Sequence, residues 1–148
     1  MITNKWIMGN GNLAEVEALR TAENRPLDDN DALAMHLVIY DDGAPAATGR
    51  VYHDGRYFRI GEYFVKQDKR GQGFGDLLIK LLILKAFEFA PSEVRTSLCN
   101  NEASFLERYG FDIAEGETRE LRLTKESMVF PSKCGHEKRY GDFFDGPG

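Results

Sequence analysis

Residues 65–75 read Val-Lys-Gln-Asp-Lys-Arg-Gly-Gln-Gly-Phe-Gly, and the rest of the chain is arranged around this segment. An extended run rich in aromatic and β-branched residues, 57–65, enters it, and a long apolar run, 76–89, leaves it. Glycines at alternate positions let the backbone turn tightly, so that successive N–H groups can point into one small space at the start of a helix. The segment therefore predicts a strand, a tight loop and a helix in that order.

The predicted loop is suited to a phosphate group. The N–H groups of a first helical turn and the positive end of the helix dipole favour an anion, and Lys69 and Arg70 add full charges. A triphosphate loop of the G-x-x-x-x-G-K-[ST] type is excluded, because Gly75 is followed by Asp76 and Leu77. A dinucleotide fingerprint requires G-x-G-x-x-G, whereas this loop reads G-x-G-x-G after a basic and polar run. The dinucleotide interpretation is therefore only a minor alternative.

The loop hexapeptide resembles the acyl-coenzyme A signature [RQ]-x-x-G-x-[GA] of the GNAT superfamily of N-acetyltransferases, in the residues Arg70, Gly71, Gln72, Gly73, Phe74 and Gly75. A second landmark, residues 103–111, is similar to the family's A-x-x-F-Y-x-x-x-G-F region. The two landmarks follow the family's order and spacing over about residues 33–123. Either landmark alone is a weaker signal than both in the right order.

The resemblance implies an α/β (α+β) fold with a central mixed, mostly antiparallel sheet, splayed at the acetyl-coenzyme A site and flanked by helices. A chain of 148 residues with 42% apolar composition is long enough for one domain with a sizeable core. We therefore expect a single domain over residues 1–148, with a C-terminal tail from about residue 130.

Composition and charge exclude several classes of protein. A net charge of −5 and a pI of about 5.2 argue against a broad nucleic-acid surface and mildly favour small cationic partners. The sequence has no apolar run of 18 or more residues, and its first residues lack the apolar run of a signal peptide. These features predict a cytoplasmic protein with no membrane or nucleic-acid partner.

The two cysteines, Cys99 and Cys134, are too few for a disulfide framework and are expected to be reduced thiols. A metal site built on Cys134 and His136 would need further ligands. The remaining candidates, Cys99, His36 and His53, fall on what are predicted to be separate strands, so no metal is predicted.

Periodicity and turn residues predict the remaining elements. Strands are predicted at 6–8, 33–40, 46–53, 57–65, 93–98, 111–113 and 119–124, and helices at 13–22, 76–89 and 101–109. The acidic segment between the first helix and the second strand borders the acceptor substrate in the family. Its residues Asp28, Asp29 and Asp31 are interpreted either as a solvated loop or as a group that attracts an amine.

The resemblance implies acetyl-coenzyme A as the acyl donor and an amine of a small molecule or a protein as the acceptor. The loop from Arg70 to Gly75 would anchor the donor, and the backbone at Phe64 and Val65 would polarise its carbonyl. Asn100 or Asn101 would hydrogen-bond the pantetheine arm, with helix capping as an equal alternative.

Glu62 is the best candidate for the general base. It precedes the loop by a few residues, although many relatives place the glutamate one position earlier, where this chain has Gly61. A shift of one residue in a strand reverses the face on which a side chain lies. A bulge at Gly61 would restore the position, and otherwise Glu62 is a salt-bridged surface residue.

The general acid is where the chain departs from the family. The tyrosine that often protonates the thiolate is replaced by Leu106. Tyr109 lies on a similar helical face and is the candidate acid, with Ser104 and Cys99 as substitutes and a packed core tyrosine as the alternative. A thiolate can also leave without a dedicated acid, because it is far less basic than an alkoxide.

Direct attack of the amine in a ternary complex is the predicted mechanism. The alternative is a non-catalytic acyl-coenzyme A binding module of the same fold, which the missing tyrosine makes plausible. The identity of the acceptor and the oligomeric state are left open, with a homodimer among the alternatives.

Overall fold

A computed structural model describes residues 1–97, 103–114, 116, 119–131 and 137–139 of the chain. The chain forms two compact units, residues 1–89 and residues 90–148, each with strands and helices of its own. The expected single domain over residues 1–148 stays a prediction.

The first unit contains four strands that follow one another in space as they do in the sequence. Each neighbouring pair is antiparallel, in agreement with the mostly antiparallel sheet that the resemblance implies. The first strand is longer than predicted, because it pairs along its whole length with the second although most of its residues are exposed. The strands are β1 (Ile2–Met8), β2 (Met35–Asp41), β3 (Ala44–His53) and β4 (Phe58–Val65).

The first helix, α1 (Ala14–Ala22), places its apolar side on this sheet. Its residues Val16 and Leu19 form a buried cluster with Val38 of β2 and Phe64 of β4. The side chain of Asn12 accepts a hydrogen bond from the backbone N–H of Ala14, as expected for a residue at the helix start. α1 therefore covers one face of the sheet.

The second helix, α2 (Phe74–Phe87), packs on β3 and β4 and is apolar nearly all round. A β-carbon added to Gly49 of β3 would lie 2.7 Å from Cδ1 of Leu82, so the glycine permits this close approach. The same β-carbon would lie 3.1 Å from Cβ of Tyr63, the residue before Phe64. Successive strand side chains point to opposite faces, so α1 and α2 cover opposite faces of the sheet.

The second unit contains β5 (Val94–Ser97), α3 (Ala103–Glu107), β6 (Asp112–Ile113) and β7 (Glu120–Leu123). β7 pairs antiparallel with β5 on one side and with β6 on the other. A further antiparallel ribbon joins β8 (Val129–Pro131) to β9 (Glu137–Arg139) within the predicted tail.

Gly110 follows directly on the predicted helix 101–109 and ends the α3 region. Its φ is +100°, and a β-carbon there would lie 1.9 Å from the carbonyl oxygen of Ser127. The backbone N–H of Val129 donates to the carbonyl oxygen of Tyr109 at 2.9 Å, which fixes the following segment against this turn.

The strand pairs that the structure describes within the two units are all antiparallel, and the helices flank them. The predicted class, an α/β fold with mostly antiparallel strands, is confirmed. The predicted splay of the sheet at a donor site stays a prediction. Among the described residues, no helix is long and apolar enough to cross a membrane.

Candidate active site

The glycine loop connects β4 to α2 and adopts the predicted tight turn. Gly71 has a φ of +79° and Gly73 a φ of +90°, a region that residues with a β-carbon rarely adopt. A β-carbon at either position would meet no atom within 4 Å, so both glycines border open space rather than packed atoms. Gly75 already lies in the first turn of α2, which begins two residues earlier than predicted.

The amino end of α2 is not capped by a side chain. Its first helical hydrogen bond runs from the N–H of Leu77 to the carbonyl oxygen of Gly73, at 3.3 Å. The earlier N–H groups of a first turn have no partner within the helix and need water, a side chain or a ligand. Together with the helix dipole, this end of α2 favours an anion.

The two basic residues of the loop have different surroundings. Lys69 Nζ lies 3.1 Å from Oδ2 of Asp41, so its charge is already paired. Arg70 donates from Nε to the carbonyl oxygen of Val65 at 3.0 Å, which fixes its side chain beside the loop. Its guanidinium is about half exposed and lies 3.5 Å from Oε1 of Glu23, so an anion can reach it in competition with that carboxylate.

A cavity of about 580 Å³ lies between α1 and the residues that follow β4. Its lining combines apolar residues of α1 with charged side chains from both segments, and comprises Glu15, Ala18, Leu19, Ala22, Glu23, Pro45, Lys66, Gln67 and Asp68. The start of the loop therefore borders a space large enough for part of a ligand.

A β-bulge in β4 determines where Glu62 points. Phe64 pairs with Thr48 and Gly61 pairs with Arg50, so that Glu62 and Tyr63 together stand opposite Gly49. Glu62 itself has a φ of +46°. The predicted bulge is therefore present, with the extra residue at Glu62 rather than at Gly61.

The bulge brings Glu62 to the α1 face of the sheet. Gly61 is paired with Arg50, whose side chain lies on that face, and simple alternation would send the next residue to the opposite face. Instead Oε2 of Glu62 lies 3.8 Å from Nε of Arg20 on α1 and 3.5 Å from Nη1 of Arg25. The side chain remains 30% exposed, so it is accessible from solvent while held by two arginines.

Beneath Glu62, the structure contains a buried network of charges that the sequence analysis did not predict. Oδ1 of Asp31 lies 2.7 Å from Nη1 of Arg20 and 2.8 Å from Nη1 of Arg50. Arg50 also pairs with Asp28, at 2.7 Å. All but Asp28 are almost fully buried, so α1, β3 and the segment between α1 and β2 are joined by ion pairs shielded from water.

The surroundings shift the pKa values of Asp31 and His36. Burial opposes ionisation of Asp31, but hydrogen bonds from Arg20, the Asp28 backbone and Arg50 outweigh it and hold the pKa at about 2. Burial lowers the pKa of His36, whose Nε2 lies 2.9 Å from the carbonyl oxygen of Asp31. Asp31 is therefore charged and His36 neutral at neutral pH.

This network corrects the interpretation of the acidic segment. Asp31 is neither part of a solvated loop nor available to an amine, because it is buried between two arginines. Asp28 accepts the N–H of Asn30 and caps a short 3-10 turn, Asp29–Leu33. A signal was present in the sequence, since Arg20 follows Val16 by four residues and so falls on the apolar face of α1.

Leu106 and Tyr109, the position of the missing acid and its candidate substitute, are both fully buried in the second unit. The Tyr109 ring makes an edge contact with Phe105, with centroids 5.5 Å apart. This burial fits the alternative of a packed core tyrosine, and an acid role for Tyr109 stays a prediction. Cys99, Asn100 and Asn101 lie outside the described residues, as does the side chain of Ser104.

Phe64 and Val65, whose backbone was predicted to polarise a carbonyl, pair with Thr48 and Ala47 of β3 on one side of β4. The structure thus places three predicted features in the first unit: the loop, this backbone and Glu62. They occupy successive positions along β4 and into α2.

Residues 32–113, more than half of the chain, match the family model of an acetyltransferase (GNAT) domain. The chain belongs to this family. The matched range includes β2 to β6 and so contains the glycine loop, Glu62 and the α3 region. The resemblance that the two sequence landmarks indicated is confirmed.

Solved structures show the same GNAT fold at low sequence identity. An acyl-CoA N-acyltransferase from Pseudomonas aeruginosa is 19% identical with a TM-score of 0.65, covering 84% of this chain and 100% of that one. Escherichia coli ElaA is 17% identical with a TM-score of 0.67, covering 82% and 97%. A GNAT family acetyltransferase from Elizabethkingia anophelis with acetyl-CoA bound is 15% identical with a TM-score of 0.61, covering 83% and 97%. No curated protein matches this chain by sequence.

Proposed function

We propose that this GNAT protein is an N-acetyltransferase that transfers an acetyl group from acetyl-coenzyme A to a primary amine of a small molecule or a protein. The observation that carries the proposal is the glycine loop: Gly71 and Gly73 border open space at the uncapped amino end of α2, beside the exposed guanidinium of Arg70. This arrangement suits the diphosphate of coenzyme A.

The donor would be held mainly by backbone groups. The N–H groups of residues 71–75 would bind phosphate oxygens, and Arg70 would add one full charge. Because a β-carbon at Gly71 or Gly73 would project into the open space, the alternate glycines keep that space free for the diphosphate. The family model and the neighbour with acetyl-CoA bound support this assignment.

The reaction is a direct attack. The amine nitrogen bonds to the thioester carbonyl carbon, the carbon–sulfur bond breaks, and the electron pair leaves with sulfur as a thiolate. The nitrogen loses one proton to a base, and the thiolate takes up one proton from water or an acid. Backbone N–H groups at the level of Phe64 and Val65 would stabilise the oxyanion.

Glu62 is the proposed base. The bulge places it on the α1 face, and its Oε2 atom is the one that faces Arg20 and Arg25. Among the described residues, no group donates a hydrogen bond to Oε1. That oxygen is available to take a proton from an amine, directly or through one water molecule.

The experiment is an acetyl-transfer assay on the full chain. Purified protein is mixed with acetyl-coenzyme A and a panel of polyamines, aminoglycosides and amino acids, and both free thiol and acetylated product are measured. Coenzyme A binding is measured separately by calorimetry. Amine-dependent thiol release with product is the expected result, whereas binding without release would favour the non-catalytic module and absence of binding would overturn both.

A further inference from the structure

Three arginines lie on the sheet face that α1 covers, and they differ in accessibility. Arg20 and Arg50 are buried and paired with Asp31, and Arg50 also with Asp28. The Arg25 side chain is 36% exposed. A ligand that approaches Glu62 from solvent would therefore meet the guanidinium of Arg25 rather than the two buried ones.

The position of Arg25 is fixed by its backbone and its ring contact. Its N–H donates to the carbonyl oxygen of Arg20 at 2.8 Å, and its own carbonyl oxygen accepts from Arg20 Nε at 2.9 Å. Its guanidinium carbon lies 5.3 Å from the centroid of the buried Phe64 ring. Arg25 is thus preorganised beside the bulge, and little side-chain entropy remains to be lost on binding.

The guanidinium of Arg25 retains donors that can bind a ligand. Its Nη1 atom donates to Oε2 of Glu62 at 3.5 Å. Within the described part of the chain, its Nε and Nη2 atoms have no hydrogen-bond partner. A planar guanidinium with two adjacent donors binds a carboxylate in a bidentate manner.

The charge balance around Glu62 points to the same ligand. While Glu62 is ionised, it is the counterion that Arg20 and Arg25 share at its Oε2 atom. When it accepts the amine proton it becomes neutral, and the guanidinium of Arg25 is left without its carboxylate partner, whereas Arg20 stays paired with Asp31. A carboxylate on the acceptor would offset the Arg25 charge, whereas a second positive charge on the acceptor would be repelled.

We propose that the acceptor carries a carboxylate next to its amine, as an α-amino acid does, and that Arg25 binds this carboxylate while Glu62 receives the amine proton. Because Arg25 and Glu62 are in direct contact, the two groups of the acceptor must be close together, as on the same carbon atom. This inference rests on the proposed function, and it excludes polyamines as preferred acceptors.

The test compares matched acceptors with wild-type protein and with Arg25→Gln. The acceptors are alanine, glutamate and phenylalanine, each with its own α-carboxamide, and spermidine. The carboxylate should give a higher kcat/KM than the amide in wild type, and Arg25→Gln should reduce that ratio by on the order of tenfold to a hundredfold, mainly through KM. Comparing this ratio between wild type and Arg25→Gln cancels the different basicity of the two amines and any general effect on Glu62.

Two further variants sharpen the result. Arg56→Gln removes the same charge from an exposed arginine that lies over the Tyr57 ring in the β3–β4 turn, and it should leave the ratio unchanged. Arg25→Lys keeps the charge but loses the bidentate donors, and it should give an intermediate ratio.

Binding is also measured without turnover, by calorimetry of each acceptor with the protein saturated with coenzyme A. Tighter binding of the amino acid than of its amide, with the difference lost in Arg25→Gln, would support the carboxylate site. If the acceptors bind in this way but none is acetylated, only the proposed function is refuted. Equal use of amino acid and amide, or a preference for spermidine, would overturn the inference.

Discussion

Arg70 Nη2 lies 3.5 Å from Oε1 of Glu23, so the arginine of the glycine loop contacts the carboxylate that ends α1. Both side chains are partly exposed, and such pairs contribute at most about 1 kcal/mol. A phosphate bound at the loop would compete with Glu23 for the same guanidinium and would also be repelled by its charge. On the proposed assignment of the loop, donor binding would therefore be coupled to the end of α1.

The first prediction follows from this competition. Glu23→Gln should tighten coenzyme A binding by about twofold to fivefold, because Arg70 no longer has to leave a carboxylate. Calorimetry at low ionic strength measures the change. Glu17→Gln removes the same charge from an exposed position on α1 and should have a smaller effect. An unchanged dissociation constant for Glu23→Gln would show that the pair does not oppose donor binding.

The second prediction concerns the space beside Gly73. Gly73→Ala should weaken coenzyme A binding about tenfold or more, because the methyl group would project into the space assigned to the diphosphate. Gly55→Ala is the matched control, since Gly55 also has a positive φ and open space around a β-carbon. Each substitution should cost about 1 kcal/mol of backbone strain. Equal coenzyme A affinities in the two variants would remove Gly73 from the donor site.

The third prediction concerns the base. Glu62→Gln keeps the shape of the side chain but cannot accept the amine proton, so kcat should fall about a hundredfold while coenzyme A affinity stays the same. The loss should lessen at high pH, where more of the amine is already deprotonated. A pH–rate profile with a series of acceptors measures both effects. Normal rates at every pH would make Glu62 a structural partner of Arg20 and Arg25 only.

The fourth prediction uses the buried charges to explain a loss of stability in acid. The pKa of His36 is lowered by burial, so stability should start to fall as pH drops below about 6.5, where the unfolded chain takes up this proton and the folded chain does not. A second fall, of about 2 kcal/mol, should follow between pH 3.8 and about 2, where Asp31 loses its charge.

Urea unfolding across pH measures these two steps. Asp31→Asn should lower the free energy of unfolding at pH 7 by about 3 to 5 kcal/mol, because it removes the carboxylate buried between two arginines and leaves Arg20 only the more distant Glu62. It should also reduce the step between pH 3.8 and about 2, leaving the part due to Asp28 and Asp54, whose pKa values are lowered as well. Asp29→Asn, in the same turn but exposed, is the control and should keep the wild-type profile. A wild-type profile for Asp31→Asn would show that the network contributes no stability.

The features that local sequence determines were predicted best. Alternate glycines after an extended run predicted the loop, and the apolar run after it predicted α2, because backbone freedom and helical periodicity are properties of neighbouring residues. Gly61 predicts a bulge, but the structure places the extra residue opposite Gly49 of the facing strand. A β-carbon at Gly49 would meet Leu82, a tertiary contact that the local sequence does not show.

The features that depend on tertiary contacts were missed. Arg25 stands in a polar segment that resembles an ordinary loop, and only the fold brings it to Glu62, 37 residues later. Composition alone predicts a solvated or substrate-facing acidic segment, because it does not show that Arg20 and Arg50 converge on Asp31. Charge pairing between distant residues leaves little trace in a single sequence.

The last prediction tests Leu106, which stands where the family often has a tyrosine. Leu106 is fully buried in the second unit, as is Tyr109. Leu106→Tyr should therefore overpack the core and cost about 1 to 3 kcal/mol. The melting temperature should fall by several degrees with no gain in acetyl transfer. Phe105→Tyr adds a hydroxyl at a partly exposed neighbour on the same helix and should be close to neutral.

The opposite result would have a definite meaning for the mechanism. A stable Leu106→Tyr protein with equal or faster acetyl transfer would show that a phenol fits at position 106 and can reach the leaving sulfur. The natural chain would then lack an acid at a position that faces the thiolate, rather than having a core leucine there. Solvent would supply the thiolate's proton. Because a thiolate is a weak base compared with an alkoxide, such a chain can turn over without the tyrosine. Stability and rate measured on the same variant therefore distinguish a core leucine from an empty acid site.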